Sequence, residues 1–157
     1  MLTQAQKDQL NLVQPAGYGS PQGDVIGAKV GVIVGKYSFA KQGGAVGAIN
    51  LLTDLNQPGS LAKLPSGAII KSVIVDILTA MSSTGGGATV ALSAQSAGDL
   101  LAAVDGDTLS GLVAGIPVGS AATSIKLTAE RTLQATVAVE ALLTGKFNVI
   151  VEYYISE

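Results

Sequence analysis

Gly145-Lys-Phe-Asn-Val-Ile-Val-Glu-Tyr-Tyr-Ile155 places Phe147, Val149, Val151, Tyr153 and Ile155 at one parity. Lys146, Asn148, Ile150, Glu152 and Tyr154 take the other. Successive side chains of a strand point to opposite faces, so this period of two predicts a strand with one face in a core. Upstream, Thr132–Glu140 alternates through Leu133, Ala135, Val137 and Val139, and Thr144-Gly145 reads as a tight turn between the two runs. Ser124–Ala129 repeats the pattern through Ile125, Leu127 and Ala129, and Thr89–Ala94 repeats it through Val90, Leu92 and Ala94.

Ala68–Thr79 has a different texture. Apart from Lys71, Ser72 and Asp76 it is apolar at both parities, which predicts a strand buried on both faces. Pro58-Gly59, Pro65-Ser66-Gly67 and the run Ser82–Gly87 carry turn chemistry. Val25–Phe39, apolar with repeated Gly, and Ala45–Leu52 flank the break at Gly43-Gly44. Ser96 and Asp99 have capping spacing ahead of Leu100, Leu101 and Val104, so a short helix is expected there, closed by Asp105-Gly106-Asp107. Roughly six to eight short strands at this spacing, with no helical period between them, predict a mainly β fold. The architecture expected is an antiparallel β-sandwich or jelly roll with at most one or two short helices.

The first two dozen residues read differently. Met1–Asn11 is rich in Gln, Asp and Lys, with Thr3 and Gln6 at capping-box spacing. Pro15-Ala-Gly-Tyr-Gly-Ser-Pro-Gln-Gly23 continues neither a helix nor a central strand. Residues 1–24 are therefore expected to form an extended N-terminal arm, and 25–157 one domain. Leu10, Leu12, Val13 and Tyr18 are the arm's candidate contacts with a partner.

Composition removes most chemistry. The 157 residues include no Cys and no His, which excludes disulfides, thiol nucleophiles and histidine bases within the chain. Zinc loses its two main ligand types. No cofactor or metal is expected. Nine Lys and Arg against eleven Asp and Glu give a net charge of −2, and these charges are scattered singly. Nucleic-acid binding needs clustered cations, so none is expected. The most apolar stretches, 24–34 and 68–80, fall short of the ~20 residues of a spanning helix, so no membrane segment is expected.

The remaining motifs are weak as chemistry. Gly17-Tyr18-Gly19 with Gly23 has the wrong spacing for a dinucleotide loop and contains Pro21. Gly35-Lys36 lacks the Ser or Thr of a phosphate loop, since Tyr37 follows. Ser-x-x-Lys occurs at Ser38…Lys41 and at Ser60…Lys63 without companion motifs. Asp105-Gly-Asp107 is a solvated turn before it is a calcium site, because the further acidic ligands are missing. Asp76 stands out as a carboxylate in the middle of an apolar strand, poised to face solvent or to pair across a subunit boundary. Glu130-Arg131 links two predicted strands, as a hairpin turn or as a rim contact between subunits.

Gly67-Ala-Ile-Ile-Lys-Ser-Val-Ile-Val-Asp-Ile77, the Gly-rich loop after it, Ala88-Thr-Val-Ala-Leu92 and Ala97-Gly-Asp-Leu-Leu-Ala-Ala103 together resemble tailed-phage virion proteins. Leu143-Thr-Gly-Lys-Phe-Asn-Val-Ile-Val-Glu-Tyr-Tyr154 resembles the last strand of the same group, the capsid decoration or cement proteins and related head-fibre bases. The resemblance covers roughly residues 45–155 and is one of strands and turns. It implies a non-enzymatic protein on the outer surface of a phage capsid, assembled in the host bacterial cytoplasm. It implies a homotrimer that clamps neighbouring major capsid protein subunits. Two other readings compete. One is a head-fibre or tail-tip module that binds a host-surface glycan through Tyr18, Tyr37, Tyr153 or Tyr154. The other is a small hydrolase built on Asp54, Asp76, Glu130, Glu140 or Glu152.

Overall fold

A computed structural model describes residues 28–156. The proposed arm, with Leu10, Leu12, Val13 and Tyr18, lies outside the described residues. The elements run β1 (Ala28–Ser38), α1 (Phe39–Gln42), β2 (Gly47–Asn50), β3 (Lys63–Leu64), β4 (Ala68–Ser83), β5 (Thr89–Ser93) and β6 (Leu101–Asp105). A 3-10 turn (Gly106–Thr108) follows, then β7 (Gly111–Val118), β8 (Ile125–Lys126), β9 (Arg131–Thr132), β10 (Gln134–Ala138) and β11 (Leu142–Ser156).

Two antiparallel sheets carry the fold. The larger has the order β1-β11-β4-β7, with β8 beside β4, and the smaller has the order β2-β10-β5-β6. The short strands β3 and β9 pair separately. With the two-residue strands set aside, the first and last strands pair in one sheet and the second pairs with the penultimate in the other. That order is the jelly roll, within the expected mainly β class.

Each sheet turns one parity inward. Phe147, Val149 and Val151 of β11 meet Ile70, Val73 and Val75 of β4, and from the other sheet Val90, Leu92, Ala135 and Val137 join the same core. The period read in β11 and β5 is the one observed. Tyr37 of β1 lies in this core with its ring stacked on Phe147 at 4.9 Å between centroids. Its hydroxyl donates to the Gly43 carbonyl at 2.8 Å.

Burial pushes the Tyr37 hydroxyl up from 10.0 to about 12. A raised tyrosine pKa favours the neutral form in the folded state, so its contribution is complete below pH 10 and is lost as the pH climbs toward 12. Tyr37→Phe should cost roughly 1 kcal/mol at neutral pH through the lost hydrogen bond. The natural chain should then lose about 3 kcal/mol relative to the variant over the alkaline window. The order of stabilities should reverse in urea titrations at high pH. A difference independent of pH would refute this account of Tyr37.

Three local expectations are corrected. Leu101–Asp105 is strand, not helix. The Asp99 carboxylate accepts the N–H of Ser96, as a capping box requires, but it also accepts those of Ala94 and Gln95. These bonds close a loop behind Asp99, and the Leu100 N–H then bonds the Leu92 carbonyl and steers the chain into the sheet. Thr144-Gly145 is not a turn either. β11 runs through it with register shifts against β4, and Gly145 takes φ 138 where a Cβ would overlap the Met81 side chain. Finally, β4 is not buried on both faces: Ala68, Ile70, Val73, Val75 and Met81 are core, whereas Ile74 and Leu78 are exposed.

Pro65-Ser66-Gly67 is a turn as read, with Ala68 N–H on the Pro65 carbonyl and Gly67 at φ 78. Val139 is the unexpected turn residue. It holds φ 70, and the Glu140 N–H bonds the Ala138 carbonyl at 2.9 Å across it, closing a three-residue turn. A β-branched residue is strained there, and at 74% exposure it gains no burial in return. Val139→Gly should therefore stabilise the fold by about 1 kcal/mol, read as a higher denaturation midpoint. Destabilisation would show that the turn is not strained.

Candidate interaction surface

The outward face of the larger sheet carries apolar side chains that a solvated sheet would replace with polar ones. Pairing aligns them in rows across the strands. Val34, Ile150, Ile74 and Ala114 form one apolar row, whereas the next, Lys36, Asn148, Asp76 and Leu112, is polar except at Leu112. Val30 and Val32 of β1 are each 62% exposed, Leu112 of β7 is 74% exposed, and Ile74 near the middle is 43% exposed. Leu78, Ile116 and Val118 extend the exposed apolar set. Exposed apolar side chains gathered on one face of a sheet are common where a protein meets another macromolecule.

Besides the Lys36–Asn148–Asp76 row, a polar cluster around Lys71 interrupts this face. A register shift between Glu152 and Tyr153 leaves Lys71 as an extra residue on β4, between Ile70 and Ser72. Bulges of this type re-aim a side chain. Here Lys71 Nζ lies 3.4 Å from Glu152 Oε1 and 5.4 Å from the Tyr154 ring centroid. The Ser72 hydroxyl donates to Glu152 Oε2 at 3.1 Å. Hydrogen bonding with Tyr154, and then with Glu152, raises the Lys71 pKa above its ordinary value. The cluster neutralises its own charges within the face, as polar groups covered by a partner must.

The other residues singled out in the sequence separate in space. Asp76 is half-buried on this same face and makes no hydrogen bond or ion pair among the described residues, a position that suits a cation supplied from outside. Glu130 pairs with Lys63 Nζ at 3.0 Å beside the β3–β9 ladder, with both side chains exposed. Its neighbour Arg131 lies in β9, with a buried Nε that has no hydrogen-bond partner among the described residues. The acidic side chains are mostly held locally. Asp54 accepts the Asn56 N–H, Glu140 accepts the Gly85 N–H at 2.7 Å, and Asp105 accepts the Asp107 N–H within its own turn. Among the described residues, no group of three or more His, Cys, Asp or Glu is placed to hold a metal ion.

Of the tyrosines considered as glycan platforms, Tyr37 is core and Tyr153 packs against the core. Tyr154 lies on the outer face but is already engaged with Lys71. The apolar face itself was legible as the second parity of Ala68–Thr79. What the sequence did not reveal is that no layer of the chain covers it among the described residues.

No family model matches the chain, and no curated protein sequence matches it. Solved structures do share its fold. One is a chain of the acidic stable capsid structure of Helicobacter pylori bacteriophage KHP30, 14% identical, with a TM-score of 0.58 over 84% of this chain and 92% of that one. A chain of the cyanophage Pam1 capsid asymmetric unit is 23% identical, with a TM-score of 0.53 over 85% and 89%. A chain of the capsid of Ralstonia phage GP4 is 18% identical, with a TM-score of 0.55 over 85% and 88%. The chain therefore has a jelly-roll fold that also occurs in phage capsids.

Proposed function

We propose that this chain is a structural virion protein that binds the outside of a phage capsid as a trimer and cements contacts between major capsid protein subunits. The observation that carries this reading is the fold match to capsid chains, which takes in 84–85% of this chain and 88–92% of theirs. The uncovered apolar face of the larger sheet supports it, because subunit association would bury that face. The arm, through Leu10, Leu12, Val13 and Tyr18, reaches the shell or a neighbouring trimer. Many weak contacts repeated over a shell sum through avidity, and none of them requires catalysis.

Empty and DNA-filled shells of the same phage, prepared without this protein, test the proposal. Added protein should saturate the outer surface, appear as density where three subunits meet, and raise the temperature at which filled shells release DNA. Protein that stays in the supernatant when the shells are pelleted would refute it. Deletion of residues 1–23 should leave a folded oligomer that no longer binds shells. Full binding by that variant would remove the arm from the reading while leaving the rest in place.

A further inference from the structure

β1 is the edge of the larger sheet. It pairs with β11 along its whole length, from Ala28 opposite Ser156 to Ser38 opposite Lys146, with no register shift. Peptide groups along a strand face alternate sides. The Lys36 N–H bonds the Leu52 carbonyl at 2.7 Å and the Leu52 N–H bonds the Lys36 carbonyl at 3.1 Å, so the groups of Lys36 face away from β11. By alternation, the N–H and C=O groups of Val30, Val32 and Val34 face the same open side. Nothing among the described residues takes them.

Natural sheets blunt such edges with Pro, a bulge, a charge or a covering segment. Among the described residues, Val30-Gly-Val-Ile-Val-Gly35 has none of these. Instead it sets two exposed valines beside the open backbone groups. We propose that this edge binds a second copy of itself: two chains pair β1 to β1, antiparallel, about a two-fold axis at Gly31, and so merge their larger sheets into one.

The edge is complementary to itself in backbone, side chains and charge. With Gly31 opposite Gly31, Val30 of each copy faces Val32 of the other, and each facing pair exchanges two backbone bonds. All four valines then lie on the outer face as β-branched cross-strand pairs. The apolar face of one copy continues into that of the other. At the axis no side chain obstructs the approach, because Gly31 has none and the Tyr153 ring occupies the space that its Cβ would take. The overlap ends at Val34, short of Lys36, where Leu52 already covers the edge. Lys29 falls opposite Ile33, whereas parallel in-register pairing would stack each Lys against its own copy. A two-fold contact cannot close a trimer, so in a trimeric assembly it would join one trimer to the next. The inference stands on this edge and does not require the capsid reading.

Two measurements test it. Proline is tolerated on an edge strand where the missing N–H faces outward, so Val32→Pro should keep the β11 ladder and abolish the pairing. In a dilution series followed by sedimentation and light scattering, the natural chain should reach twice the mass of the variant, whether the unit that doubles is a monomer or a trimer. Residue-resolved hydrogen exchange gives a readout that needs no substitution. The amides of Val30, Val32 and Val34 should slow by roughly tenfold or more as concentration rises, while those of Gly31 and Ile33 stay protected throughout. If Val32→Pro fails to fold, the exchange data decide. Equal masses, or amides of Val30, Val32 and Val34 that exchange freely at every concentration, would overturn the proposal. So would a variant of unchanged mass that loses shell binding, since the edge would then serve a foreign strand.

Discussion

Replacing Phe147 with Ala should remove 3–5 kcal/mol of unfolding free energy, on the order of the loss seen when any large aromatic leaves a packed core. Phe147 is fully buried on β11, between β1 and β4, and its ring stacks on Tyr37. Truncation deletes the transfer free energy of the ring and leaves a hollow that the two flanking strands cannot fill, because their backbones are fixed by the ladder on either side. For a domain with ordinary stability of roughly 5–15 kcal/mol, that is a large share of the total. Chemical denaturation followed by far-UV circular dichroism measures it directly. Phe147→Leu should cost appreciably less, since it leaves a smaller void. A loss below about 1 kcal/mol for the Ala variant would mean that the core closes over the gap, contrary to the packing described here.

The second large effect falls on association rather than folding. Ile74→Lys places a charge near the centre of the outer apolar face, in the row with Ile150 and Ala114. The side chain already meets solvent in the isolated chain, so stability should move by no more than about 0.5–1 kcal/mol. A charge buried without a partner at the centre of an interface costs 2 kcal/mol or more, roughly a thirtyfold loss of affinity. The native mass of the variant should therefore fall to that of a pair of chains joined at β1, and to that of one chain at dilutions where the edge contact has parted, while its circular dichroism spectrum is kept. The same exchange at Val46, exposed but outside this sheet, should leave the mass unchanged. An Ile74→Lys protein that keeps its full native mass would show that subunits meet elsewhere.

The sequence disclosed this fold unevenly, for physical reasons. Phe147, Val149 and Val151 sit at one parity of an uninterrupted alternation, and the same is true of Val90 and Leu92, so these strands and their inward faces could be read directly. Leu100 and Leu101 could not. Spacing alone does not separate a capping box that opens a helix from a carboxylate that closes a loop, and the choice was made by a tertiary bond from Leu100 to Leu92. At Gly145, Gly carried a turn signal, yet the local requirement was for a residue without a Cβ beside Met81 inside a continuous strand. The interaction surface was half legible. Two apolar parities in Ala68–Thr79 announced that both faces want cover. Only the sheet order shows that one of them is covered from outside the described chain or not at all. The bulge that turns Lys71 toward Glu152 had no signal in the sequence, because a bulge depends on register with a strand some eighty positions away.

The pairing of Ala28 with Ser156 also sets a timetable for making the protein. β11, the strand between β1 and β4, is made after every other strand described. Until it leaves the ribosome, the larger sheet lacks its middle, and β1 and β4 wait as separate ribbons with their apolar sides open. Contacts of such long sequence separation also make for slow folding, on the order of milliseconds to seconds. Chains interrupted before Leu142 hold the strands of the smaller sheet and the β4–β7 pair but lack the strand that joins β1 to β4, and their exposed strands are candidates for aggregation. Assembly thus draws on chains made through β11, since no product lacking that strand contains the sheet that carries the proposed contacts.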